Sequence, residues 1–338
     1  MATFVKRLTG ADLDTARRWN VGGTDLGIPY VLENGSIGYL FGDTFSGPWP
    51  GGPDWRAPVM LRSNVDPQSN DIVFDSAARV LGDGFAPAIM HNEQDANSEH
   101  AFGSEFSVIP NDGIGFPENR GQIVSYQSIW KWSGPNGSSW STNYSGLAYS
   151  NNGNDFTRSE LKWPNNPNND DPFQMWSMQR DPDGYIYIFS VRAGRQKGPM
   201  MLQRVHWDHM MDIQYYQGWG WNGCDWGWGR PCTGILCGVF GEPSVKRLRD
   251  GIWVMSYLDV TQPGGGSIVT RTAARPDAPW SFPKTQVTWA QQPVLYGGFI
   301  HPRSTAAPDD LHLMVSRWIK DTHGNTTAYD VSHWRGSA

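Results

Sequence analysis

Five times along the 338-residue chain a polar residue opens a short alternating run, which breaks at a turn dipeptide and resumes as a more apolar run. The openings are Gly23-Thr24-Asp25-Leu26-Gly27, Gly103-Ser104-Glu105-Phe106, Phe173-Gln174-Met175-Trp176, Gly241-Glu242-Pro243-Ser244 and Ile300-His301-Pro302. The breaks fall at Asn34-Gly35, Asp112-Gly113, Asp183-Gly184, Asp250-Gly251 and Asp309-Asp310. Asn-Gly and Asp-Gly tolerate the positive φ of tight hairpin turns, so they are strong local signals for paired strands. Second runs follow at Tyr39–Phe41, Ile123–Tyr126, Ile186–Phe189, Trp253–Tyr257 and Leu313–Ser316, and third runs at Pro58–Ser63, Ser145–Ser150, Pro199–Arg204, Ser267–Arg271 and Thr327–Val331. Radial repetition of such units makes a β-propeller, which protects its strand edges by closing into a ring. The chain is therefore expected to be all-β, a five-bladed propeller in one domain over residues 1–338.

Fourth strands are weaker, with Ile72–Phe74 and Gln286–Thr288 the better candidates. The last blade runs out of chain soon after Val331, so its outer strand is expected from Thr3-Phe4-Val5-Lys6-Arg7, which would zip the ring shut. With 39 Gly and 24 Pro, turn formers are abundant, and no long segment has the 3.6-residue apolar period of a helix.

In such a ring the opening residues lie on the innermost strands, so Asp25, Glu105, Gln174, Glu242 and His301 are expected to converge on one polar funnel. Any one of them could be a solvated strand end, and Glu105 or Gln174 taken singly equally so. Asp25 and Asp43 form the sharpest local pattern: they flank the Asn34-Gly35 hairpin and should meet at one end of adjacent antiparallel strands. Two carboxylates at a concave site are what glycoside hydrolysis needs, one to protonate the leaving oxygen and one to deprotonate water or attack carbon. Their repulsion would keep one of them protonated near neutrality. Turn capping by either aspartate is the structural alternative.

Eighteen tryptophans exceed what a core of this size needs. Trp219, Trp221, Trp226 and Trp228 alternate with glycines between Trp207 and Pro231, and are expected to form a loop over the channel mouth that grips sugar rings through indole faces. The Met90–Ala101 segment, with His91, Glu93, Asp95, Glu99 and His100, offers metal-ligand types but reads more simply as a solvated loop between blades, so no metal is assigned. Cys224, Cys232 and Cys237 lack zinc-motif spacing; they are expected as free thiols or with one local Cys224–Cys232 disulfide.

The net charge of −6 and the lack of a basic cluster argue against nucleic acid. No apolar run is long enough to span a membrane as a helix. Met1 to Trp19 carries charges without an apolar core, so no secretory signal is expected in this chain.

The runs Gly22-Gly23-Thr24-Asp25-Leu26-Gly27, Phe41-Gly42-Asp43-Thr44-Phe45 and Trp55-Arg56-Ala57-Pro58-Val59 resemble the start of domain-of-unknown-function family 4185, glycoside hydrolase family 183. Ile109-Pro110, Gly241-Glu242-Pro243-Ser244-Val245, Ala278-Pro279-Trp280 and Tyr296-Gly297-Gly298-Phe299-Ile300-His301-Pro302 extend the resemblance over nearly the whole chain. It implies a five-bladed propeller with endo-D-arabinanase activity on the α-D-arabinofuranosyl linkages of mycobacterial arabinogalactan and lipoarabinomannan, in actinobacteria or their phages. Asp25 and Asp43 are then the catalytic pair, with inversion preferred. Glu105, Gln174, Glu242 and His301 would surround the sugar. An extracellular or virion-associated setting follows, with D-arabinan and phage tail proteins as partners. No cofactor is required, and a structural ion in the channel is left open. The Trp-Gly segment is richer in tryptophan than the family pattern. A non-catalytic glycan-binding propeller, such as a receptor-binding module, is the alternative from another class.

Overall fold

The computed structural model describes residues 1–93, 101–262, 264–320, 323 and 325–338. Asp95, Glu99 and His100 thus lie outside the described residues. A first strand, β1 (Thr3–Arg7), and a short helix, α1 (Asp14–Trp19), precede five antiparallel sheets. The first sheet is β2 (Gly23–Val31), β3 (Ile37–Phe45), β4 (Val59–Ser63) and β5 (Ser76–Ala77). The second is β6 (Ser107–Phe116), β7 (Gly121–Lys131), β8 (Ser141–Ser150) and β9 (Thr157–Pro164). The third contains β10 (Met175–Arg180), β11 (Tyr185–Val191), β12 (Lys197–His206), β13 (Gln217–Trp221), β14 (Trp226–Trp228) and β15 (Leu236–Val239), the last paired with the opening half of β12. The fourth is β16 (Gly241–Arg247), β17 (Trp253–Asp259), β18 (Ser267–Ala273) and β19 (Lys284–Thr288). The fifth joins β20 (Leu295–Ile300), β21 (Leu311–Lys320) and β22 (Thr326–Gly336) to β1, giving the order β1-β22-β21-β20.

These are the five blades of a β-propeller, and the N-terminal strand closes the ring with Thr3 opposite Arg335 and Arg7 opposite Ser332. Second strands are buried on both faces because each blade is sandwiched between neighbours. Every residue of β17 is buried, for instance, and the run reads apolar throughout rather than alternating. Phe41, Tyr39 and Phe74 pack edge to face in the first core cluster.

Three local expectations within the blades change. Asp112-Gly113 is not a turn; it lies inside β6, and the hairpin is made by residues 117–120. Asp112 turns inward at a bulge, and a Cβ on residue 113 would stand 2.8 Å from the Tyr30 ring, so the glycine serves close packing between blades. The fourth strand of the first blade is Ser76–Ala77 rather than Ile72–Phe74. In the fifth blade the inner strand precedes the Ile300-His301-Pro302 run, so His301 follows its far end.

The Trp-Gly segment is a hairpin on the outer edge of the third blade rather than a loop over the channel. Trp219 pairs across it with Trp228, and Trp221 with Trp226. Strand alternation puts indoles on one face and glycines on the other. The glycine face is covered by the returning chain: a Cβ on Gly220 would meet the Pro231 carbonyl at 2.0 Å, and one on Gly218 the Arg230 carbonyl at 2.3 Å. All three cysteines are free thiols, with no Cys224–Cys232 bridge. Among the described residues no helix is long and apolar enough to cross a membrane.

Near the propeller axis the Lys246 ammonium contacts both oxygens of Asp112, at 2.9 and 2.8 Å, with both side chains buried. Asp112 also accepts from the Met178 N–H at 2.8 Å and the Ser177 hydroxyl at 2.9 Å. One carboxylate therefore ties the inner strands of the second, third and fourth blades. Removing one member of such a pair strands the other charge. Lys246→Met is expected to lower the unfolding free energy by about 3–5 kcal/mol, and Asp112→Leu/Lys246→Met to lose less than the single change. Urea unfolding curves check this; a double variant weaker than the single would show that the pair is not what holds the axis.

Candidate active site

Asp25 and Asp43 meet because the β2–β3 register breaks between them. Thr24 pairs with Thr44 and Leu26 with Phe41, so Asp25 faces the two-residue stretch Gly42-Asp43. A second shift follows, in which Gly27 is the extra residue of β2 between Leu26 and Ile28; Leu26 and Gly27 are both in the left-handed region, at φ 65° and 74°. A Cβ on residue 42 would stand 2.5 Å from Asp25 Oδ1, so glycine is required there for the aspartate to lie across the strand. The Thr24 and Thr44 hydroxyls bond at 2.7 Å beneath the pair.

The two carboxylates have different surroundings. Asp25 is 3% exposed, and its Oδ1 has no hydrogen-bond partner. Burial, then the Asp43 charge, pushes its carboxyl well above the usual range, against a hydrogen bond from Tyr329. Asp43 is partly exposed and accepts from Trp55 Nε1 at 2.7 Å and the Ser107 hydroxyl at 3.4 Å. Burial raises it to about 6, and those two donors oppose the rise.

Glu242 opens β16 at the same end of the channel, with φ 44°. Arg195, at φ 58° in the connection between β11 and β12, reaches it with Nη2–Oε1 2.5 Å, Nε–Oε1 3.1 Å and Nε–Oε2 3.2 Å. Its guanidinium also donates to the Tyr296 carbonyl at 2.9 Å and sits 4.6 Å over the Tyr296 ring. Burial pushes the Glu242 carboxyl up and Arg195 opposes this. The Tyr296 and Tyr329 hydroxyls are held well above their usual values, first by burial and next by the Asp25 charge, so they stay protonated as donors. Leu26, Arg195 and Glu242 are three non-glycine residues in left-handed backbone around one site, where such strain is retained by the surrounding packing.

The other expected site residues are spread more widely. Glu105 is committed to Arg158, at 2.8 and 2.6 Å, and to the Ser128 hydroxyl at 2.7 Å. Gln174 is fully buried and bonds Thr142, Asp171 and the Trp163 carbonyl. His301 bonds the Tyr39 hydroxyl at 3.0 Å beyond the far end of β20. Trp219, Trp221, Trp226 and Trp228 stand on the outer hairpin. The aromatic wall nearer the acids is Trp55, Phe106 and Trp132, with ring centroids 5.2 and 6.2 Å apart in sequence of contact. Sequence reasoning missed Arg195, Tyr296, Tyr329 and Trp132. For Tyr296 the available signal was its place at the start of the fifth inner strand, equivalent to Glu242 in the fourth.

A small cavity of about 30 Å³ is lined in part by Leu26, Asn111, Trp140, Glu242 and Tyr296. A wider space of about 400 Å³ opens elsewhere, around Tyr30, Ile114, Arg180, Trp207 and Arg247. Of the carboxylates, Glu242 lines the small cavity itself, and Leu26, next to Asp25, lines it too. Among the described residues no three His, Cys, Asp or Glu side chains gather as metal ligands.

Residues 10–335 match DUF4185, a domain of unknown function. Notoamide biosynthesis cluster protein J of Aspergillus sp. (strain MF297-2) is 52% identical over 340 residues, covering 99% of this chain and 90% of that protein. Notoamide biosynthesis cluster protein J' of Aspergillus versicolor is 54% identical, covering 95% of this chain and 88% of that protein. These relatives are fungal, and they give no support to the actinobacterial and phage setting implied by the sequence resemblance. The α-L-arabinofuranosidase PaAbf62A of Podospora anserina, solved with cellotriose, shares the fold at TM-score 0.53 and 11% identity, over 99% of this chain and 98% of its own.

A carboxyl raised above its unfolded pKa binds its proton more tightly in the folded state. It supports folding below the unfolded value and withdraws that support as pH rises through the folded one. For Asp43 the window is from the ordinary 3.8 to about 6, and Asp25 extends it upward. Asp43→Asn and Asp25→Asn are therefore expected to melt at higher temperature than the parent at pH 7, with the gap closing toward pH 4. Calorimetry across this range checks the sign; parent and variants melting together at every pH would overturn the raised assignments.

Proposed function

Because the chain belongs to the DUF4185 family, a domain of unknown function, we propose from its site geometry that it is a glycoside hydrolase acting on arabinofuranosyl linkages. The observation that carries this reading is the Asp25–Asp43 pair: two carboxylates on one hairpin, both raised, one sealed and one reaching toward solvent. Asp25, kept protonated by burial and by Asp43, gives its proton to the leaving oxygen. Asp43, held by Trp55 and Ser107, takes a proton from water, which attacks the anomeric carbon from the opposite face with inversion. Glu242 and Arg195 offer an acceptor and a donor to ring hydroxyls, and Trp132, 39% exposed, offers an aromatic face. A furanoside substrate is supported by the family resemblance and agrees with the name of the Podospora arabinofuranosidase.

The relatives' names favour a second reading, in which the glycoside is a small molecule of a fungal biosynthesis cluster rather than a polymer. A panel of D-arabinan, L-arabinan and aryl arabinofuranosides separates them: oligosaccharide release supports the polymer reading, and cleavage of aryl glycosides alone supports the small one. Cleavage of neither, with arabinan retained on the protein, would leave a glycan-binding module.

On the substrate cleaved, Asp25→Asn and Asp43→Asn are each expected to keep their circular dichroism and lose at least about a hundredfold in rate. Near-parental turnover by either variant removes that residue from the chemistry. Trp132→Ala is expected to raise KM with little change in kcat, equivalent to about 1–3 kcal/mol of stacking. Trp221→Ala and Trp226→Ala, remote on the outer edge, should leave both constants unchanged. Initial rates against substrate concentration decide which aromatic surface faces the sugar.

A further inference from the structure

The charged and titratable groups that act on Asp25 come from five elements of the ring. Asp43 reaches it from β3, Glu242 from β16, Arg195 from the β11–β12 connection, Tyr296 from β20 and Tyr329 from β22. Arg195 is the cation of this set. Left to itself, a buried guanidinium beside a carboxyl favours the ionised carboxylate, the wrong state for a residue that must donate a proton.

The geometry deals with that conflict. Arg195 spends both Nε and Nη2 on Glu242 and a further Nη2 bond on the Tyr296 carbonyl, and its flat face is covered by Tyr296 at 4.6 Å and Trp140 at 5.5 Å. Arg195 and Glu242 are 15% and 7% exposed, so the pair is neither screened by water nor free to swing. Both hold left-handed backbone, Glu242 without the glycine that such a φ favours. Strained backbone on two different blades thus serves to hold these charges together.

We propose that Glu242 is a positioning residue that acts on Asp25 through Arg195, as the fixed counter-charge that keeps the guanidinium from drawing off the Asp25 proton. This goes beyond hydroxyl binding by Glu242, and it rests on the reading of Asp25 as the proton donor. Glu242 raises the Asp25 carboxyl and Arg195 lowers it, so the two charges act on it in opposite directions.

The test needs no substrate. In protein labelled with ¹³C at aspartate carboxyls, the Asp25 resonance is identified by its loss in Asp25→Asn and followed against pH. Glu242→Gln, which keeps shape and an acceptor for Arg195 but removes the charge, is expected to lower the Asp25 midpoint by about one pH unit or more. Adding Arg195→Gln to it should bring the midpoint back up, a reversal that mere loosening of the site would not produce. Glu242→Asp, which draws the same charge back by one methylene, should give a smaller fall in the same direction, and serves if Glu242→Gln is too unstable to titrate. A midpoint unmoved or raised in Glu242→Gln, or not restored in the double variant, overturns the proposal. If the midpoints move as stated but no glycoside is cleaved, the hydrolase reading fails and the charge unit stands. If Asp25-dependent cleavage is found, the alkaline limb of kcat/KM should shift to lower pH in Glu242→Gln; cleavage with an unmoved limb overturns the role of Glu242 and leaves the hydrolase intact.

Discussion

The Asp112–Lys246 pair near the axis fixes what the rest of the ring can do. Inner strands of a propeller meet few partners across the channel, since their hydrogen bonds run outward into their own blades. A buried lysine bonded to one carboxylate, itself bonded to a backbone N–H and a serine of a third strand, substitutes for the missing sheet. Its cost in desolvation is large, and it is repaid only because every polar atom finds a partner. The consequence for the site is positional. Lys246 anchors β16 at the axis, and Glu242 leaves the same strand four residues earlier, at the bulge near its start.

Closure works with this pin. The N-terminal strand pairs with β22, and Leu8 and Thr9 continue that contact through the Val331 carbonyl. Val331 in turn lies against Gly27, where a Cβ would stand 2.8 Å from its methyl. The closing strands therefore press on the Gly27 bulge, two residues beyond Asp25, and the same β22 supplies Tyr329. Ring closure and the acid are one packing problem.

The repeat made the blades and the closing strand legible, because alternation and turn dipeptides are local properties of the chain. Asp25 and Asp43 were legible for the same reason: a hairpin brings its ends together whatever surrounds it. Asp112-Gly113 misled because a turn and a buried bulge use the same residue types, and only the distant Lys246 and Tyr30 distinguish them. His301 misled because the fifth blade opens on Tyr296, a residue that alternation alone marks as core. The tryptophan segment was read from composition as a loop over the channel, but it is an edge hairpin whose glycines accept a crossing chain segment at distances no side chain allows. Arg195 could not have been found at all. It lies between strands with no motif, and its importance comes from a carboxylate 47 residues away.

Raising two carboxyls is a stability cost near neutrality, since the unfolded chain releases those protons more easily than the folded one and gains by ionising. Left-handed backbone at Leu26, Arg195 and Glu242 adds about 1–3 kcal/mol each. The chain carries these together at one end of the channel, whereas the axis pair and the doubly buried second strands lie where no strain is required. A fold that needed its carboxylates only to cap turns would gain by relaxing Leu26 and by solvating Asp25. That Asp25 instead lies sealed, with one oxygen unpartnered and a glycine opposite to make room for it, is a cost that folding alone gives no reason to carry and that the proposed proton donation at that oxygen would account for.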